Sequence, residues 1–383
     1  MDSCPRCRRK MKPNQILKIY GTDYKENTKA LLTAARLAEM IPSPDSRIAV
    51  KPNLVCPSPA EFGATTHPEV VAGIIEYLQE NGFRNLVIAE GSWIGDRTED
   101  AFEICGFRAL SEKYGVPFVD TQKSRSFTEK QDGFSFLLTD AAAGFDFLIN
   151  VPVLKGHCQT RVTCAMKNLK GLLPNTEKRR FHKEGLHRPI AHLAAAVKQD
   201  FIVVDHICGD PDFEEGGRPL IRNCVMAALD PVLTDSYACR LLGVETETVP
   251  YIGFAEELGV GCSDLGRAEI LQIEEKEPGR FRFLKDTEEP LSGHALDVSY
   301  AAEDADACSA CYSSLIGALF RLEEEGLLSD LKEKIGIGQG MCGKTGNLGV
   351  GKCTAAFKTS IPGCPPDEEA IYAGLREYIL SSR

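Results

Sequence analysis

Five cysteines near the C-terminus have the type and spacing to do chemistry: Cys308-Ser-Ala-Cys311, then Cys342, Cys353 after Gly351-Lys352, and Cys364 between Gly363 and Pro365. Thiolates gathered by a Cys-x2-Cys pair, with further cysteines on glycine-rich loops, suit an iron–sulfur cluster or a tetrahedral metal ion. Cys308 and Cys311 open a helix expected over 315–325, whose free N–H groups and dipole favour thiolates and an anionic cluster. Gly349 and Gly351 would let the backbone reach inorganic sulfide beside Cys353. Cys364-Pro365 echoes the Cys-Pro that closes bacterial ferredoxin runs. Cys308, Cys311, Cys353 and Cys364 are therefore the four expected ligands of a [4Fe-4S] cluster. Cys342 is set aside, because Met341-Cys342-Gly343-Lys344 has neither paired spacing nor a following proline. A structural zinc ion and unrelated free thiols are the alternatives. Gly336-x-Gly338-x-Gly340 lies inside this stretch and reads as a loop wrapping the cluster.

A second concentration is basic. Between Val151 and Pro189 stand nine Lys or Arg against two Glu, in a chain whose formal net charge is -11. Like charges at one place raise each other's cost unless something negative sits between them, so the island points to a small anionic ligand, a carboxylate or a phosphate. A helix over 161–173 would place Val162, Met166, Leu169 and Leu173 on one apolar stripe and Thr163, Lys167 and Lys170 on another face. Lys155-Gly156-His157 precedes that helix, where an anion would also meet its positive end. His157, His182 and His187 could supply a proton or a metal ligand beside those cations.

Both concentrations need elements to position them. Short apolar strands alternate with helices: a helix over 25–40 and strand 47–50, a helix from His67-Pro68 to Gln79 and strand 85–89, a helix over 98–114 and strand 116–119, then strands 147–151, 201–205 and 224–229. That alternation is the signature of an α/β fold, a mostly parallel sheet with helices on both faces. Ligands of such sheets collect at the carboxyl ends of strands, so Lys51, Asn53, Glu90, Lys155, Asp205 and Asp230 should converge. Asp205 ends an otherwise apolar strand and is, with Lys155 and His157, a catalytic candidate. Lys51, Asn53, Thr163, Lys167, Lys170 and His182 are candidate ligand-binding residues. Asp230-Pro231 reads as an N-cap followed by proline, and Asp235 as an acid in that helix's first turn. Residues 270–284 look like a small β appendage, and the charged run 285–290 like a solvated turn. No internal repeat stands out.

The chain's 383 residues and 43% hydrophobic content allow one large α/β domain and a smaller one. The expected division is a tail over 1–15 carrying a lone Cys4-Pro-Arg-Cys7, a core over 16–300 and a smaller cysteine-rich iron–sulfur module over 301–383. The acidic balance argues against nucleic acid and anionic membranes as partners. Fifteen cysteines without a signal peptide or an 18-residue apolar run read as reduced thiols and metal ligands in a cytoplasmic protein.

Taken together, Lys51-Pro52-Asn53, Thr66-His67-Pro68, Val151-Pro-Val-Leu-Lys155-Gly-His157, Met166-Lys167-Asn168-Leu169-Lys170-Gly171, Asp230-Pro231 with Asp235, Gly-Lys-Cys353 and Gly-Cys364-Pro-Pro resemble the DUF362 family. This is a domain of unknown function often joined to iron–sulfur modules, and the resemblance runs from about Arg47 to the end. It implies an iron–sulfur-associated α/β protein, adds Asn168 to the candidate ligand-binding residues and supplies no substrate. Members with an appended ferredoxin carry compact Cys-x2-Cys-x2-Cys runs, which this chain lacks. Two functions of different class follow. One is a redox or cluster-dependent enzyme, an iron–sulfur oxidoreductase acting on the small anion, with an all-cysteine cluster favouring electron transfer and an open iron site favouring Lewis-acid chemistry. The other is a non-catalytic electron carrier or maturation partner whose basic island docks an acidic redox partner protein. A zinc-stabilised α/β protein is a further alternative.

Overall fold

The computed structural model describes residues 10–291 and 296–382, so the Cys4–Cys7 pair lies outside the described residues. The chain divides into two compact units, the first made of 1–156, 162–211 and 216–290 and the second of 157–161, 212–215 and 291–383.

The first unit is built on a nine-stranded sheet. In space its strands run Arg280–Lys285, Glu269–Glu277, Gln15–Tyr20, Cys224–Ala228, Phe201–His206, Phe147–Asn150, Ile48–Lys51, Leu86–Glu90 and Phe118–Asp120. Five of the eight neighbouring pairs are parallel, including every pair from Phe201–His206 to Phe118–Asp120, and three are antiparallel. Alternation along the strands explains the layers. Ile48, Val50, Ile149 and Val203 enter one core with helices Tyr24–Ala35 and Pro68–Glu80. Ala49, Leu148, Ile202 and Val204 enter the other with His187–Ala196, Pro231–Leu241 and Pro250–Glu257. Successive side chains point to opposite faces, so both faces are apolar and both are covered.

Several expectations are corrected. The helix expected over 98–114 is two, Thr98–Ile104 and Phe107–Tyr114, broken where Gly106 takes φ 79°. The β appendage is instead the edge of the main sheet, because Glu269–Glu277 pairs in parallel with Gln15–Tyr20. The solvated turn is a buried ionic clasp: Lys18 Nζ donates to Asp286 at 2.9 Å, to Tyr237 Oη at 2.7 Å and to Glu288. Glu288 also accepts from His206 at 2.9 Å. Asp230 caps Pro231–Leu241 as read, accepting from Val232 and Leu233 N–H. It does not converge with the other acids and lysines, because Cys224–Ala228 runs antiparallel to Phe201–His206 and ends at the opposite edge of the sheet.

The second unit holds a four-stranded parallel sheet in chain order, Ala302–Asp304, Ile335–Ile337, Leu348–Val350 and Thr359–Ile361. Helices Ser309–Glu324 and Glu368–Ser381 supply Leu315, Leu319, Ile371 and Leu375 to its core. The first connection carries a helix; 338–347 and 351–358 carry one 3₁₀ turn each, shorter than the dozen or more residues a helical crossover takes. Ile335-Gly-Ile-Gly338 and Leu348-Gly-Val-Gly351 are therefore a short internal repeat that the sequence reading missed.

Candidate functional site

Lys51 is the last residue of Ile48–Lys51 and Glu90 the last of Leu86–Glu90, and the parallel pairing of these strands sets both at the same edge. Their side chains are buried and form an ion pair, Nζ to Oε2 at 2.5 Å, while Glu90 Oε1 accepts Gly91 N–H at 2.7 Å. Lys178, from helix Asn175–Glu184, is buried beside them and donates to the carbonyls of Gly91 at 2.9 Å and Ser92 at 2.8 Å. Glycine makes the gathering sterically feasible. A Cβ on Gly91 would stand 3.0 Å from Lys178 Nζ, and one on Gly171 1.7 Å from Glu90 Oε1 and 2.8 Å from Lys51 Nζ. Burial pulls Lys51 below the ordinary lysine range, with Glu90 opposing. Burial likewise lowers Lys178 to about 8, against the pull of Glu90 and with the push of Lys51. Outside this group, Lys170 and His182 Nε2 share a hydrogen bond of 3.0 Å, and the His182 ring meets Trp93 edge-on.

The segment carrying the Lys-Asn-Leu-Lys-Gly motif is not the single helix expected. Arg161–Thr163 is extended, with Arg161 at φ 61°, and Ala165–Asn168 is one helical turn running into the 3₁₀ turn Leu169–Leu172. Val162, Met166, Leu169 and Leu173 are nonetheless all buried, and Lys167 Nζ donates to Thr163 Oγ1 at 3.0 Å. Asn168 bridges backbone and side chain, donating to Asn150 Oδ1 at 2.7 Å and to the Lys51 and Pro52 carbonyls at 3.4 Å. Asn53 Oδ1 accepts Val55 N–H, and Asn53 N–H donates to Thr66 Oγ1, so this residue shapes the turn after its strand. Asp235 serves a different helix from its own: it accepts Ala165 N–H at 2.7 Å and Met166 N–H at 3.2 Å, fixing the turn that bears Lys167 and Asn168. Burial raises its carboxyl to about 7, with those N–H groups opposing. Lys155 is buried and donates to Ala64 O at 2.5 Å.

Asp205 has a partner the sequence reading did not supply. Its Oδ2 accepts both the backbone N–H and the Nδ1–H of His67, at 2.7 and 2.8 Å, and its Oδ1 accepts Ile207 N–H. His67 Nε2 then faces Cys208 Sγ at 3.7 Å. Burial works against charge on His67, yet Asp205 holds the ring protonated up to about 11. His67-Pro68 was visible as a helix start, but nothing in the sequence joins it to residues 138 positions away.

In the second unit His157 is a closed element. Nδ1 accepts the N–H groups of Gln159 and Thr160, both at 3.0 Å, so the proton sits on Nε2 and points to Glu214 at 2.9 Å. The cysteines show more. Each strand of the parallel sheet runs at its carboxyl end into a loop bearing cysteine: Ala302–Asp304 leads to Cys308 and Cys311, Ile335–Ile337 to Cys342, Leu348–Val350 to Cys353 and Thr359–Ile361 to Cys364. Gly338 and Gly351 directly follow their strands and Gly363 comes two residues after its own; they take φ of 111°, 90° and 145°. Cys308 is the N-cap of Ser309–Glu324 and Cys311 lies in its first turn, so the helix begins earlier than expected. The hydrogen bond with Cys311 draws Cys308 down to about 6, against burial and with help from N–H groups at the helix start. The same bond, then burial and the charges of Cys364 and Cys353, push Cys311 up. Burial raises Cys353 to about 11, with Cys342 hydrogen-bonded to it and Cys308 and Cys364 adding. All five late thiols are therefore neighbours. Among the described residues no three His, Cys, Asp or Glu side chains are grouped as a single metal ion would need.

An α/β unit with buried lysines at the carboxyl edge of its sheet, and a unit whose parallel strands end in cysteine loops, define the class of protein. The chain belongs to the DUF362 family, the domain of unknown function whose family model matches residues 48–240. It is 30% identical over 233 residues to the thylakoid-associated protein sll1697 of Synechocystis sp., a match spanning 57% of this chain and 69% of that one. Among solved structures, the lactate racemase apoprotein of Thermoanaerobacterium thermosaccharolyticum is similar at TM-score 0.38 and 12% identity, over 60% of this chain and 56% of that one. A structural-genomics protein from Thermotoga maritima is similar at TM-score 0.33 and 12% identity, over 58% and 60%. Likenesses of that size carry no argument about the site. No helix among the described residues is long and apolar enough to cross a membrane.

Proposed function

We propose that this chain is an iron–sulfur protein in which Cys308, Cys311, Cys353 and Cys364 hold a [4Fe-4S] cluster, serving a redox reaction on a small carboxylate or phosphate bound in the first unit. The observation that carries the reading is the delivery of cysteine by every strand of the second unit's parallel sheet, at one edge, with three of the four loops carrying a glycine of positive φ near the strand end. The donor set fits the group. Thiolates are the ligands such clusters take, and the helix start at Cys308 offers N–H groups to an anionic centre. A bound cluster supplies one-electron transfer to or from a redox partner protein. The chain's own part is to hold the thiolates at the helix start, and in the first unit to present Lys51, Lys170, Lys178 and His182 to the anion. Reduced thiols in this number suit a cytoplasmic setting.

The buried cations Lys51, Lys155, Lys167 and Lys178 suit a small ligand. Arg161, Arg179, Lys183 and Arg188 of the same island are exposed, which keeps an electron carrier docking an acidic partner protein as the second reading. Purification without oxygen, with iron, acid-labile sulfide and zinc measured beside low-temperature EPR before and after dithionite, tests the cluster. About four irons and four sulfides per chain, with a reducible signal lost in Cys308→Ala and Cys364→Ala and kept in Cys342→Ser, is the expected result. About one zinc ion without sulfide would replace the redox reading by a structural-metal one.

A further inference from the structure

We propose that Cys208, His67 and Asp205 form a thiol nucleophile site for acyl transfer at the carboxyl edge of the first unit's sheet, taking the acyl group of a small thioester or acyl phosphate. The three side chains stand in line. Cys208 Sγ is 3.7 Å from His67 Nε2, and His67 Nδ1 is 2.8 Å from Asp205 Oδ2. This is the order nucleophile, imidazole, orienting carboxylate found around activated nucleophiles. The orienting carboxylate is held at both oxygens, Oδ2 by the N–H of His67 and Oδ1 by the N–H of Ile207. The Tyr24 ring lies edge-on to the imidazole at 5.4 Å and completes its packing. Asp205 and His206 end the strand Phe201–His206, and Cys208 follows two residues later, on the side of the sheet where ligands of α/β proteins collect. Lys155 donates to Ala64 O, and Cys208 Sγ meets Ala60 O at 3.4 Å, so both side chains pack against the 60–64 segment.

An oriented imidazole serves a reaction in which a proton must leave the nucleophile and reach a leaving group. In the acylation the bond between Sγ and the acyl carbon forms and the bond from that carbon to the leaving thiolate or phosphate breaks. The one proton between Sγ and Nε2 rests on the imidazole, which Asp205 keeps protonated, and passes from Nε2 to the leaving group, so no oxidant or further reactant is consumed. Cys105 provides the contrast within the same unit. It is 4% exposed against 6% for Cys208, and both thiols meet a backbone carbonyl, Ser58 O for Cys105 and Ala60 O for Cys208, but Cys208 Sγ has the His67 imidazole beside it as well.

The site rests on the first unit alone, so its test is separate from that of the cluster. The full chain is treated with iodoacetamide and the rate at each cysteine is read by peptide mass spectrometry. Cys208 should react at least about tenfold faster than Cys105, and His67→Asn or Asp205→Asn should bring it within about twofold of Cys105 while the Cys105 rate stays put. A merely structural role for His67 or Asp205 would give the opposite sign, both thiols reacting faster as the fold loosens. If His67→Asn loosens the fold in that way, His67→Gln takes its place in the comparison. With a small acetyl thioester as probe, acetyl should accumulate on the Cys208 peptide of the wild type and not of the His67 variant. Equal alkylation of Cys208 and Cys105, indifference to the His67 substitution, or acetyl spread evenly over the thiols would overturn the assignment.

Discussion

Replacing Glu90 by Gln keeps the shape of the residue at the centre of the lysine group and removes its charge. Lys51 is fully buried and its ion pair with Glu90 is short, so the variant leaves an ammonium group in the interior without its counter-charge. Breaking a buried pair in this way costs about 3–5 kcal/mol. The upper end can be worked independently. Lys51 is already drawn down by burial, so the variant's escape is to fold with Lys51 neutral. Deprotonating a lysine of ordinary pKa about 10.4 costs about 4.6 kcal/mol at pH 7 and about 1.2 kcal/mol at pH 9.5, at about 1.36 kcal/mol per pH unit. The sign follows from proton counts. Between the depressed folded pKa and the ordinary unfolded one, the unfolded chain binds more protons, so stability of the variant rises with pH. Denaturant unfolding followed by the fluorescence of Trp93, the chain's single tryptophan, reports the first unit, where Trp93 lies beside Lys170 and His182. The expected outcome is a penalty of about 3–5 kcal/mol at pH 7 that shrinks to about 1 kcal/mol at pH 9.5. The double variant Lys51→Met, Glu90→Leu should recover most of it. A penalty under about 1 kcal/mol at pH 7, or one that does not change with pH, would refute the buried-pair account.

Further outcomes follow from the same geometry. Asp235 is raised to about 7 by burial, so the folded state binds the extra proton between about pH 4 and 7 and the wild type should lose stability relative to Asp235→Asn as pH climbs through that window; unfolding at pH 5 and 7.5 checks it, and a constant difference would contradict it. A Cβ on Gly209 would lie 1.9 Å from the backbone oxygen of Leu154, so Gly209→Ala should cost about 1–3 kcal/mol in the same assay. Phosphate or a small carboxylate bound near Lys170 and His182 should change Trp93 fluorescence, and Lys170→Met should weaken the titration at least about tenfold, a charge-assisted contact being worth about 1.5–3 kcal/mol.

Much of the first unit was legible because its signals are local. The strands Ile48–Lys51, Leu86–Glu90 and Phe201–His206 are short apolar runs closed by polar residues, and the proline after His67 marks a helix start. What escaped depends on partners far along the chain. The run 285–290 is charged and looked solvated, yet Asp286 and Glu288 meet Lys18, 268 and 270 positions away. The apolar stripe of Val162, Met166, Leu169 and Leu173 is buried but is not one helix, because burial at those spacings does not require unbroken helical backbone between them. Asp205 was singled out by being polar at the end of an apolar strand. Its function as an orienting group is written in His67 and Cys208, which only folding brings to it.

The setting aside of Cys342 shows how the repeat alters the reading of the cysteines. Paired spacing and a following proline are local criteria, and by them Cys342 fails. By the repeat it is equivalent to Cys353: each follows a parallel strand of alternating glycine and a glycine of positive φ. The difference is loop length. Cys353 is two residues past Gly351 and half-buried, whereas Cys342 is four residues past Gly338 and exposed, hydrogen-bonded to Cys353 from outside. Cys342 is exposed and hydrogen-bonded to Cys353, while Cys308 and Cys311 are tied to the helix start and to each other. Cys364 is exposed as Cys342 is, so exposure does not choose between them for the fourth corner of the proposed cluster, which is why iron content in Cys342→Ser and Cys364→Ala decides the ligand set. Loss of iron in Cys342→Ser, with retention in Cys364→Ala, would move the fourth corner to Cys342.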